Sequence, residues 1–153
     1  MLIQIKHRYT GKVLYETEAE DQQAAVEKAV KEKKDLSFAY IEGDSFIRAK
    51  LSGAKLAHAD LAWVGLYKAD LSNADLSYSN LRFTNLSNAD LSNANLKAAN
   101  IDGTHLEGAA LSNANLSWTF APSKYKAKTK QGWKYESSRH ALAAKGIKTG
   151  TKR

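Results

Sequence analysis

Ala-Asp-Leu-Ser-Asn-Ala-Asp-Leu-Ser-Tyr, residues 69–78, decides how this chain folds. Leu71 and Leu76 stand five apart, each preceded by Asp and, one further back, by Ala. The spacing runs outward in both directions without a gap. Its central residues are Leu36, Ile41, Phe46, Leu51, Leu56, Leu61, Leu66, Leu71, Leu76, Leu81, Leu86, Leu91, Leu96, Ile101, Leu106, Leu111 and Leu116. Two residues before these seventeen, eleven are Ala; one before, ten are Asp or Asn; one after, eight are Ser. Most of the unit is therefore patterned, which a chance run of leucines would not be.

A period of five suits neither standard element. On an α-helix, five residues advance about 500°, so successive leucines wander around the cylinder. On a flat strand, an odd spacing sends alternate leucines to opposite faces. All seventeen reach one interior only if the chain bends once per repeat. That makes a coil of short flat sides, with the central residue and the preceding Ala inside. Ala suits the second interior position because a narrow coil has no room there for another large side chain.

The exceptions show how many sides make one turn. Six repeats lack the Ala: Lys34, Asp44, Val64, Ser79, Thr84 and Thr104. Of these, Asp44, Val64, Thr84 and Thr104 are spaced by multiples of 20. Ser52, Ser72, Ser92 and Ser112 keep the same interval, and repeats 69–73, 89–93 and 109–113 all end Leu-Ser-Asn. Twenty residues per turn means four sides of five.

These units, Ala-Asp-Leu-Ser-Asn at 69–73 and 89–93 and Ala-Asn-Leu-Ser at 114–117, resemble the pentapeptide-repeat family, whose pattern is Ala-(Asp/Asn)-Leu-X-X. The resemblance covers about residues 34–118. It implies a mainly β fold, a right-handed four-sided β-helix (a solenoid). It also implies that the remaining three positions of each unit face outward. Lys34 and Asp44 depart from the pattern near the start, so the first coil is expected to be irregular or covered.

The flanks differ from the repeat and from each other. In residues 1–33, Ile3 and Ile5 alternate with polar neighbours, Thr10-Gly11 offers a turn, and Val13 and Tyr15 alternate again, which predicts a β-hairpin. Asp21 is placed to cap a helix through about Lys33, with Ala25, Val26, Ala29 and Val30 as its apolar stripe. Repeat stacks need covered ends, and hairpin plus helix reads as the N-terminal cap. Residues 119–153 read as a basic C-terminal cap and tail. From 120 onward there are ten Lys+Arg and one acid, a net +9 in a chain whose total is +7. The alternation Lys124, Lys126, Lys128, Lys130 followed by Trp133-Lys134-Tyr135 suggests a second short hairpin. Ser137 or Ser138 would open a short helix through Ala141, Leu142 and Ala144.

Composition narrows the chemistry. The chain has no Cys, which excludes disulfides and thiolate catalysis. His7, His58, His105 and His140 lack metal-ligand spacing. No phosphate-cradling glycine loop or nucleophile elbow occurs. The serines suit tight bends. No enzyme, cofactor, metal or small-molecule substrate is expected, and without an apolar span or signal segment the expected setting is the cytoplasm.

Binding is what remains. Outward positions 20 apart stack into columns. One runs Phe38, His58, Tyr78, Ala98, Trp118, and the neighbouring side carries Trp63 and Phe83. Phe38, Trp63, Tyr78, Phe83 and Trp118 are the candidate surface for a protein partner. Asn73, Asn93 and Asn113 read as a structural amide ladder. Lys124, Lys126, Lys128, Lys130, Lys134 and Arg139 are candidate contacts to nucleic acid or another polyanion. The family resemblance implies an alternative role. Some members mimic DNA with rows of carboxylates and bind a type II topoisomerase (gyrase), in the manner of quinolone-resistance proteins. Asp60, Asp70, Asp75 and Asp90 would serve here, although Asn80, Asn85, Asn95, Asn100 and Asn115 take many equivalent places. The expected function is a non-enzymatic scaffold presenting a rigid surface to another macromolecule, as a monomer or an end-to-end dimer.

Overall fold

The computed structural model describes residues 1–43 and 45–120, together with two short strands near the C-terminus. The elements are β1 (Leu2–His7), β2 (Val13–Glu18), α1 (Gln22–Lys31), β3 (Ala39–Tyr40), β4 (Lys126–Lys128) and β5 (Lys134–Glu136). From Asp35 to Phe120 the chain winds as a coil whose successive turns join by parallel bridges. Every bridge links residues 20 apart, from Asp35 with Lys55 to Asn100 with Phe120. Each side contributes a single bridge per turn, so β structure is spread along the coil as isolated contacts and not as long ladders.

The bend is a β-turn built into each unit. The N–H of the small interior residue donates to the carbonyl of the preceding central residue, as from Ala74 to Leu71 at 3.1 Å and from Ala94 to Leu91 at 3.0 Å. The residue two after each centre has positive φ, near +60° at His58, Asn73, Tyr78 and Asn93, as the third residue of a type II turn requires. The Asp or Asn before each centre holds the turn from the side. All ten accept the backbone N–H two residues on, for example Ser72 to Asp70 at 3.0 Å and Lys97 to Asn95 at 3.1 Å. This Asx bond is the physical reason for Asp/Asn at that position.

The central residues fill the tube. Leu56, Leu76 and Leu96 are at most 1% exposed, and they join Ile5, Val26 and Ala29 in one continuous core. Three of the interior positions without Ala carry hydroxyls, and each finds a carbonyl. Thr84 and Thr104 are fully buried and donate to Leu61 O at 2.8 Å and Leu81 O at 2.6 Å. Ser79 donates to Leu76 O at 2.6 Å. Each buried hydroxyl thus has a partner, so a small polar residue substitutes for Ala without an unpaired group.

The first coil is overlaid by the N-terminal segment. β1 and β2 form an antiparallel hairpin with a register shift between Ile5 and Lys6. β1 also pairs antiparallel with β3, Lys6 opposite Tyr40 and His7 opposite Ala39, and Arg8 N donates to Phe38 O. The exposed edge of the coil thereby gains hydrogen-bond partners. Asp21 caps α1 by accepting from Ala24 N at 2.8 Å. Glu27 of α1 accepts the N–H of Lys50 at 2.9 Å, tying the helix to the coil. The helix stops at Lys31, short of Lys33, because Lys33 takes positive φ and directs the chain into the first side.

β4 and β5 pair antiparallel, Lys126 opposite Glu136 and Lys128 opposite Lys134. Asp44, the helix expected after Ser137, Lys124, Lys130 and Arg139 lie outside the described residues, as do the side chains of Lys126, Lys128 and Lys134.

Candidate binding surface

The four sides are named here in chain order by their central residues: side 1 holds Leu36, side 2 Ile41, side 3 Phe46 and side 4 Leu51. Each side ends in a positive-φ corner. The corners of sides 1 and 2 carry rings. Phe38 stacks on His58 at 4.4 Å between centroids, and His58 on Tyr78 at 4.8 Å, both with planes 5° apart. Trp63 stacks on Phe83 at 4.3 Å. Side 2 therefore runs between two aromatic columns.

A left-handed backbone costs an ordinary L-residue about 1–2 kcal/mol. Offset ring pairs return roughly 0.5–1.5 kcal/mol each, so stacking offsets the strain where rings are consecutive. The coil also makes room for the rings. Phe83 lies over Gly103, where an added Cβ would come within 2.3 Å of the ring. Between the columns, polar groups are paired: Arg82 with Asp102 and Arg8 with Asp60, each at 3.4 Å. Asn80 bridges to Asp60 at 3.0 Å. The columns are fixed in shape yet open at their edges, with Trp63 71% and Tyr78 48% exposed.

Of the five candidate partner residues, the structure joins Phe38 with Tyr78 through His58, and Trp63 with Phe83. Trp118 stands two levels beyond Tyr78 on the first column, after Ala98. Sequence reasoning missed His7 and Arg8. The His7 ring extends the first column above Phe38 at 5.3 Å and 8°. The Arg8 guanidinium donates to His58 O at 2.9 Å. Nothing in the repeat signals them, because they arrive on β1. The amide ladder expected at Asn73, Asn93 and Asn113 does not form: among the described residues their side-chain amides make no such chain of bonds. What places Asn at these corners is its tolerance of positive φ, near +60° at each.

The carboxylates are occupied by turn chemistry. Asp70 and Asp75 each accept both the N–H and the hydroxyl of the Ser two residues on. The hydroxyl and N–H of Ser37 hold Asp35 below the usual carboxylate range. Among the described residues no His, Asp or Glu cluster could hold a metal ion, and no helix is long and apolar enough to cross a membrane.

A bridged coil with a 20-residue turn and four sides of five is the architecture of a repeat solenoid. The pentapeptide-repeat family model matches residues 45–82, 56–93 and 89–120, with eight copies. The chain belongs to that family, which implies the mainly β, right-handed coil. Among solved structures, it is 30% identical to a pentapeptide repeat protein from the Arabidopsis thaliana thylakoid lumen, covering 58% of this chain and 64% of that one at a TM-score of 0.43. It is 27% identical to HetL, a pentapeptide repeat protein involved in heterocyst differentiation regulation from the cyanobacterium Nostoc, covering 66% and 55% at a TM-score of 0.29. A pentapeptide repeat protein from the cyanobacterium Cyanothece is also 27% identical, covering 53% and 62% at a TM-score of 0.35. The chain thus spans just under two thirds, or less, of each of these structures. Among curated proteins none matches. Proteins of this family are generally structural or regulatory and not enzymatic, and often act through protein interactions.

Proposed function

We propose that this protein is a non-enzymatic scaffold that docks another protein on side 2, between the two aromatic columns. One observation carries the reading: Trp63 and Tyr78 are large, exposed and held rigidly by ring stacks at opposite edges of one flat side. Aromatic anchors that lose little freedom on binding are efficient interface residues. In this reading the hairpin and α1 act as the lid of the first coil, and the coil itself supplies only shape. The test is cross-linking and affinity capture from the source cell, comparing wild type with a Trp63→Ser, Phe83→Ser double variant. Loss of a captured protein with unchanged circular dichroism supports the reading; an identical captured set overturns it.

A second contact has its own support. The net +9 carried from residue 120 onward favours a polyanion. Removing residues 123–153 is expected to abolish retention on heparin at low salt. The DNA-mimic role is disfavoured, since the stacked carboxylates are engaged within their own turns and the chain is basic. Excess protein is accordingly expected to leave gyrase supercoiling unchanged.

A further inference from the structure

Three lysines stand where the fold asks for another residue. Lys33 follows the end of α1 with φ +57°. Its N–H donates to Val30 O and that of Lys34 to Ala29 O, both at 2.9 Å, which closes the helix in a Schellman motif. The left-handed position of that motif favours Gly, since the backbone there crowds a Cβ. Lys34 stands where eleven repeats have an interior Ala, and it is exposed. Lys55 stands where ten repeats have the Asp or Asn that holds the turn. All three line one cavity of about 260 Å³, together with Lys31 from the last turn of α1 and with Ser52 and Gly53 from the corner of side 4. Gly53 comes 20 residues after Lys33, also at positive φ, and an added Cβ on it would meet nothing within 4 Å.

The charge around this cavity is not neutralised nearby. Among the described residues no ion pair includes Lys31, Lys33, Lys34 or Lys55. The neighbouring carboxylates serve other partners. Glu32 accepts from the Tyr15 hydroxyl at 3.1 Å, Asp35 from Ser37 N–H at 2.9 Å, and Asp75 from Ser77 and Asn95. The helix dipole accounts for Lys31, but Lys33, Lys34 and Lys55 lie beyond the helix, and Lys55 arrives from the next turn of the coil. The last helix carbonyls, of Lys28, Ala29 and Val30, are closed by the N–H groups of Glu32, Lys34 and Lys33. An anion entering here therefore meets ammonium groups. Four like charges repel one another, and a single carboxylate would leave three of them unmatched. Lysines bind phosphate as point charges. The volume lies below the about 300–1,000 Å³ of sites for drug-sized ligands, which suits a compact anion.

We propose that this cavity binds a short chain of linked phosphates, free or carried on a small solute, through Lys31, Lys33, Lys34 and Lys55. The site includes no residue beyond Lys55. It stands or falls apart from the protein-docking reading, which uses Trp63 and Phe83, and from the basic segment after residue 120.

Titration of the full chain with tripolyphosphate at low salt, followed by backbone amide signals in ¹H–¹⁵N spectra, tests the site. The signals of Lys33, Lys34 and Gly53 should move together on one saturating curve, and they report the cavity separately from the C-terminal lysines. Orthophosphate, with fewer charges, should bind about tenfold more weakly. ATP carries the same three phosphates on a nucleoside: a tighter grip on it identifies the carried form as the ligand, a weaker one the free anion, and both support the site. Lys33→Gly suits the backbone but removes a charge. It should raise the melting temperature by about 2 °C and weaken binding about tenfold. Lys55→Asn restores the turn residue and should weaken binding to a similar extent. Gly53→Asp brings a carboxylate to the cavity and should abolish binding, whereas Gly53→Asn, the residue of the same corner at Asn73 and Asn93, should keep most of it. Unmoved signals at Lys33, Lys34 and Gly53 while tripolyphosphate binds elsewhere overturn the proposal. Unchanged affinity in folded Lys33→Gly and Lys55→Asn, or in folded Gly53→Asp, does so equally.

Discussion

The corners of sides 1 and 4 share one backbone and differ in everything they show to solvent. At side 4 the positive-φ residues are Gly53, Asn73, Asn93 and Asn113; at side 1 they are Phe38, His58, Tyr78, Ala98 and Trp118. Asn and Gly are what the conformation asks for, and large rings are what it tolerates least. The side 4 column is therefore explained by the turn alone. The side 1 column is not, and the compensation is the stack: a ring in a costly conformation is held by the rings above and below it. Where geometry fully accounts for a residue, no further role is needed. Where a residue works against its geometry, as Phe38, His58 and Tyr78 do, something else compensates, and here it is the ring stack.

This contrast can be broken or sharpened by measurement. Inside the tube the two sides should be equal. Leu71→Ala on side 4 and Leu76→Ala on side 1 remove fully buried side chains, and each should cost about 2–5 kcal/mol in denaturant melts. A large difference between them would show that the sides are not equivalent cores. At the corners the outcome should split. His58→Asn relieves strain but deletes two ring contacts, for a net loss of up to about 1 kcal/mol. Asn93→Gly, by contrast, should change stability by less than about 0.5 kcal/mol. On the second aromatic column, Gly103→Ala meets both φ +72° and the Phe83 ring. It should cost about 1–2 kcal/mol and alter Trp63 emission as the Trp63–Phe83 stack shifts.

The smallest effect concerns pH. Asp35 is held below its ordinary value chiefly by the Ser37 hydroxyl and then by the Ser37 N–H. A lowered folded-state value stabilises the protein above the unfolded value and is lost as pH falls through the folded one. Ser37→Ala should lower the melting temperature by about 1 °C at neutral pH. The gap should close as pH drops below about 4. A gap that persists into acid would place the effect outside the carboxylate.

Much of this was legible in the residues themselves. Leu36 through Leu116 announce a bend every five residues, and Val64, Thr84 and Thr104 mark the 20-residue turn that the bridges realise. The role of Asp and Asn before each Leu was written in Asx chemistry but is easily read as surface charge; all ten serve the turn. The columns Phe38–His58–Tyr78 and Trp63–Phe83 followed from the period. Whether their rings would lie flat and parallel did not, because rotamers are chosen by neighbours one turn away.

By itself the sequence determined the interior, since a five-residue period leaves a chain one way to bury its leucines. Only the tertiary structure decided that β1 adds itself to β3, and that His7 and Arg8 come to rest on a column some 30 to 50 residues away along the chain. The physical reason is range. A local repeat fixes the turn that each unit makes, whereas stacking and edge pairing are properties of residues that meet only after the coil has closed.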